Sequence, residues 1–138
     1  MRTVAALLSI LVLFLSACRT SVDSVEEDLT PEQYFQKAIE ATDGNHYRLA
    51  LAYYETFLDK YPDDVSRGLW ASYEVAFLHH KMGEDDRAIE LFDELIARYE
   101  NAPEDSDWPQ GPLILAAKVK KNIIAKRRTE KPGKESAS

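Results

Sequence analysis

Between Thr30 and Arg128 apolar residues return every three or four positions, as in helices that bury one face and show the other to water. Breakers cut this pattern into pieces. Thr30 with Gln33 fits a capping box, and Pro31 falls at the first helical position, where its missing N–H needs no partner. A first helix is therefore predicted from Pro31 to about Asp43. Gly44 and Asn45 both tolerate the left-handed backbone that ends helices, and a second periodic run, Tyr47–Tyr61, stops at Pro62. The arrangement then repeats with a run from Ser66 to Met82, a break at Gly83, and a run from Asp85 to Tyr99 that ends before Pro103. Residues 101–112 (NAPEDSDWPQGP) are rich in breakers, and Leu113–Arg128 reads as a fifth helix with a stripe of Leu115, Val119 and Ile123 at i, i+4 and i+8. The expectation is an all-α domain over residues 30–128, made of two helical hairpins and a fifth helix, followed by a disordered tail at 129–138.

The N-terminal pattern is different. Met1, Arg2 and Thr3 precede an apolar run from Val4 to Leu15 that only Ser9 interrupts, which reads as a secretory signal. Such a run covers about 18 Å of helix, well short of a hydrocarbon core of about 30 Å, so a permanent spanning helix is disfavoured. The sequence Leu15-Ser16-Ala17-Cys18 resembles the lipobox of bacterial lipoproteins. That resemblance implies removal of residues 1–17 and a Cys18 that carries a diacylglycerol thioether and an N-acyl chain. Two or three acyl chains hold a protein stably on a membrane, at roughly 0.8 kcal/mol per buried CH₂. The alternative is an ordinary secreted protein with an unpaired Cys near its N-terminus. Arg19, where an Asp would retain enteric lipoproteins in the inner membrane, points by the same resemblance to the outer membrane, facing the periplasm. Residues 18–29 are polar and acidic without helical periodicity and read as a flexible tether from the lipid to the helical domain.

The two hairpins match each other. Ala38, Asn45, Ala50, Tyr54 and Pro62 correspond to Ala76, Gly83, Ala88, Phe92 and, three residues late, Pro103, an internal period of 38 residues. Antiparallel helices approach closely only where both carry small side chains, and an aromatic ring one turn further on fills the groove to the next unit. This pattern resembles the tetratricopeptide repeat in the longer-linker form of bacterial envelope proteins. The segment YRLALAYYETFLDKYPDD is similar to a second repeat helix of the tetratricopeptide lipoproteins, a group that includes the D subunit of the outer-membrane barrel-assembly machinery. The resemblance implies about two and a half hairpins in a short right-handed α-solenoid, with the fifth helix capping the second repeat. Two departures stand out: Ser72 occupies a position where a large residue is usual, and His79 one where an aromatic is usual. A solenoid this short buries little core, so a homodimer could supply further burial.

In tetratricopeptide folds the first helix of each repeat lines the concave face. Carried over by position, that face receives Phe35, Ile39, Trp70, Tyr73, Phe77, His80 and Lys81. Trp70, Tyr73 and Phe77 lie at i, i+3 and i+7 and form an aromatic stripe, while the opposite set of Ser72, Val75, Ala76 and His79 is weakly apolar. Two readings of the stripe stand side by side. It is a partner groove, where aromatic anchors give the largest binding increments, or it is core packed under the fifth helix or the other hairpin.

Charge changes the picture more than composition does. The net charge of −7 argues against a nucleic-acid binder, and a single Cys cannot build a disulfide framework. Within it, residues 18–112 carry 8 Lys+Arg against 22 Asp+Glu, a net of −14, while residues 113–138 carry 8 against 2, a net of +6. The basic patch of Lys118, Lys120, Lys121, Lys126, Arg127 and Arg128 could meet anionic lipid, an acidic partner or a second copy, or could serve only the dipole of its own helix. No metal site is expected: His79 and His80 are adjacent and point about 100° apart on a helix. Nothing has catalytic spacing, and Glu84, Asp85 and Asp86 sit where acids favour a helix N-terminus. The expectation is a non-catalytic lipoprotein without cofactor, docking protein partners as scaffold or adaptor in envelope assembly, whether of outer-membrane proteins, pilus or secretion systems, or cell-wall machinery. The alternative is a ligand-binding accessory of a transporter.

Overall fold

The computed structural model describes residues 25–26 and 28–130. The expected signal 1–17, the lipidated Cys18 and residues 131–138 of the expected tail lie outside the described residues. Five helices follow in order: α1 Pro31–Asp43, α2 Tyr47–Lys60, α3 Val65–Lys81, α4 Asp85–Glu100 and α5 Gln110–Glu130. The described part is all-α.

The ends of these helices follow from local chemistry. The capping box is present: Thr30 Oγ1 accepts from the Gln33 amide at 3.3 Å, and the Gln33 side chain accepts from the Thr30 amide at 2.8 Å. Asp64 caps α3 by accepting from the Arg67 amide at 3.1 Å. The two hairpin turns use equivalent residues in the left-handed region, Asn45 at φ 59° and Gly83 at φ 80°. The fifth helix begins three residues earlier than expected because Pro112 lies in its first turn, where proline costs no hydrogen bond. It also runs through Thr129 and Glu130, which are helical rather than tail.

Each helix packs on the next, and α3 also packs on α5, the pattern of a short helical solenoid. Ion pairs join the first hairpin to the second along both edges. Arg67 at the start of α3 meets Glu32 at the start of α1, while Arg48 beside the first turn lies 3.9 Å from Glu84 beside the second. The core has two compartments with α3 shared between them. Ala71, Val75 and Leu78 face the first hairpin, with Tyr34, Ala38, Ala50, Tyr53, Tyr54 and Phe57. Leu69, Tyr73 and Ala76 face the second, with Ala88, Phe92, Leu95, Ala116 and Ile123.

The 38-residue period is a spatial repeat as well. Ala38, Ala76, Ala50 and Ala88 are all fully buried, and Phe35 packs edge-on to Tyr54 at 5.3 Å where Tyr73 meets Phe92 at 6.0 Å. The expected tether is shorter than 18–29. Val25 and Leu29 pack on the first core, the Tyr61 hydroxyl donates to the Leu29 carbonyl at 2.7 Å, and Lys37 pairs with Glu26 at 2.8 Å.

Candidate functional site

The residues carried onto the concave face do not form one open groove. Tyr73 is 7% exposed and belongs to the second core, stacked on Phe77 at 5.9 Å and tilted against Phe92. Trp70 stands edge-on to Tyr73 at 6.3 Å, and its indole lies so close to Gly111 that a Cβ there would sit 2.6 Å from Cζ2. The stripe is therefore packed under α5. The physical reason is Gly111 in the first turn of α5: only a residue without a side chain lets that helix cross over the indole. Phe77 is half-buried against the same cluster.

The remaining members diverge. Phe35 is half-buried on Tyr54 and Phe57. His80 Nδ1 lies 2.5 Å from Asp85 Oδ1, and the adjacent His79 Nδ1 lies 2.5 Å from Glu84 Oε2, so each imidazole meets its own carboxylate. Lys81 turns away to the first hairpin, its ammonium 5.6 Å from the ring centroid of Tyr47. Ile39 alone among the seven is a large apolar side chain left in water, at 51% exposure. The set opposite the stripe is not idle either. Val75 and Ala76 are buried, and the Ser72 hydroxyl donates to the Gly68 carbonyl at 2.8 Å.

The basic patch splits in two. Lys120 pairs with Asp93, and Arg127 with Asp86 at 2.6 Å, so these two bind α5 to α4. Lys126 lies 3.8 Å from Glu130 on its own helix. Lys118, Lys121 and Arg128 are exposed and carry no carboxylate partner among the described residues. Surface pairs of this kind contribute little stability singly, and the inward face of α5 is set by Ala116 and Ile123, buried in the second core.

One residue escaped the sequence reading. Glu74, on α3 between the two cores, is half-buried with no hydrogen bond or ion pair among the described residues, and burial pushes its carboxyl above the usual range. Burial first and the charge of Glu74 second raise the Tyr54 hydroxyl. A glutamate in mid-helix reads as solvated, and only the packing of α3 on the first hairpin shows otherwise.

Among the described residues, no group of three or more His, Cys, Asp or Glu side chains is placed to hold a metal ion, and no helix is long and apolar enough to cross a membrane.

Comparison with known proteins agrees with the geometry. The tetratricopeptide repeat family model matches residues 70–102, which run from Trp70 in α3 through α4 to Ala102. An uncharacterized protein of Treponema pallidum (strain Nichols) is 29% identical over 97 residues, covering 70% of this chain. The chain spans 39% of that protein's length. No solved structure matches. The matched repeat and the hairpin array together support a tetratricopeptide-like protein–protein interaction module.

Proposed function

We propose that this chain is a lipid-anchored docking module of a bacterial envelope, a non-catalytic scaffold or adaptor that presents its helices to a protein of an envelope assembly complex. The observation that carries the docking role is the repeated hairpin array with Ile39, half exposed on α1, one period before the half-buried Phe77 of α3. Among the described residues the exposed large apolar side chains are Ile39, Val65 and Ile114, and the one on that side, Ile39, offers an anchor to a partner chain. Phe35, one turn before Ile39 on α1, and Phe77 and His80 on α3 are half-buried.

The anchor rests on the Leu15-Ser16-Ala17-Cys18 sequence. With Val25 packed on the first core, only residues 18–24 separate the lipid from the folded domain, a reach of at most about 25 Å at about 3.5 Å per residue. The module is thus held close to the bilayer, probing partners in the membrane or just above it.

The experiment is an intact-mass measurement of the mature protein from cell membranes, beside Cys18→Ala. Wild type should begin at Cys18 and carry acyl mass. Cys18→Ala should accumulate as unprocessed precursor without acyl mass. Normal maturation of the variant, or an unmodified Cys18 in wild type, would remove the anchor. A small molecule copurifying in native mass spectra, with no protein partner, would favour the transporter accessory instead.

A further inference from the structure

Helices α1 and α3 each bury one face under the helix that follows, Ala38 against α2 and Ala76 against α4. Helix α5 is the third of this series, and among the described residues no helix follows it. Advancing Ala38 and Ala76 by the same 38-residue period reaches Ile114, which is 62% exposed where both alanines are fully covered. The same step takes Leu78, buried toward the preceding hairpin, onto Ala116, buried toward the preceding hairpin. Lys120 and Arg127 reach α4 from that side of α5. The register of the repeat therefore continues into α5, and the side it leaves open is the one that a paired helix would cover.

That open side carries Ile114, Ala117, Lys118, Lys121, Ala125 and Arg128, all exposed. We propose that it docks an acidic amphipathic helix of another protein, which completes a third hairpin in trans. Three features select this occupant. The alanines allow close approach of a second helix backbone, with Ile114 as the knob. Lys118, Lys121 and Arg128 are cations with no carboxylate partner among the described residues, so a helix with acidic flanks meets them while their aliphatic stems pack beside it. Among the described residues the chain supplies no such helix. Its exposed large apolar residues among the described ones are Ile39, Val65 and Ile114, and the exposed acids of α4 come without any. Two α5 helices packed together would set like charges against each other. A lipid surface fits poorly as well, since helices that lie in bilayers present large aromatic and aliphatic side chains rather than alanines.

The surface is separate from the Ile39 side, so either can fail alone. The test places a photoreactive amino acid at Ile114 of the full chain in its own host, with the same residue at exposed Glu55 of α2 as control, and maps the adduct by peptide sequencing. The expected adduct is a helical segment of another protein with an excess of Asp and Glu. Its yield should fall at least about tenfold in the Lys118→Glu, Lys121→Glu double variant, whose helicity and melting stay unchanged because neither lysine is paired among the described residues. An adduct with lipid, with a second copy, or with a basic or non-helical segment overturns the proposal. So does a yield no higher than at Glu55, or one indifferent to the charge reversal.

Discussion

Replacing Ala88 with Leu places an isobutyl group where a methyl is fully buried, one turn before Phe92 and in the same core as Ala76. The repeat makes a definite demand here. Ala76 and Ala88 are the small residues that let α3 and α4 cross closely, as Ala38 and Ala50 do for α1 and α2. Overpacking of a well-filled core costs about 1–3 kcal/mol. A value near 2 kcal/mol on a domain of about a hundred ordered residues lowers the melting temperature by roughly 8–16 °C. Ala97→Leu on the exposed side of the same helix is the reference, and it should stay within about 0.5 kcal/mol of wild type, since leucine is nearly as good a helix former as alanine. Thermal unfolding followed by circular dichroism on both variants gives the comparison directly. Equal melting of the two leucine variants would refute the reasoning, because burial of Ala88 at the crossing is the only ground for distinguishing them.

The remaining predictions concern α3 and its neighbours. Tyr73→Ala should cost about 3–5 kcal/mol, as a truncated core aromatic does, and the double change with Trp70→Ala should leave little folded domain; a variant with normal helicity and melting would return the stripe to an open groove. Gly111→Ala should destabilise despite alanine's better helix propensity, because its Cβ meets the Trp70 ring; an unchanged indole fluorescence spectrum and melting temperature would show that α5 does not cross Trp70. Glu74→Gln should stabilise the protein at neutral pH. Burial raises this carboxyl above its ordinary 4.5, so the folded state holds its proton to higher pH than the unfolded state does. The penalty from this group is absent in acid below the unfolded value and grows as pH rises through the folded value. The variant's advantage in melting temperature should therefore be largest near pH 7 and vanish toward pH 4, and an advantage independent of pH would contradict the burial of Glu74.

The helices were legible because their ends are written in local chemistry. Thr30 and Gln33, Asn45, Pro62 and Gly83 each act within a turn of the backbone they control, so α1 to α4 begin and end within a residue of expectation. Pro112 misled the same reasoning, since a proline reads as a break unless it falls in a first turn. The aromatic stripe shows the other limit. Periodicity puts Trp70, Tyr73 and Phe77 on one face but does not say what covers that face, and the answer depends on where α5 returns after its nine-residue connection. Gly111 opposite Trp70 was a signal available in the sequence, but its meaning needed the pairing of the two. The charge asymmetry was visible too, while its division into Lys120 and Arg127, held by α4, and Lys118, Lys121 and Arg128, facing water, is a matter of helix phase against a partner.

The central claim is that this array docks a protein through the side of α1 and α3 that Ile39 marks. A photoreactive amino acid at Ile39 of the full chain in intact cells, with exposed Glu55 of α2 as control, tests it most directly. The account predicts one dominant adduct from Ile39 with an envelope protein, absent when the same residue sits at Glu55. Adducts from Ile39 no stronger or more specific than those from Glu55 would contradict it.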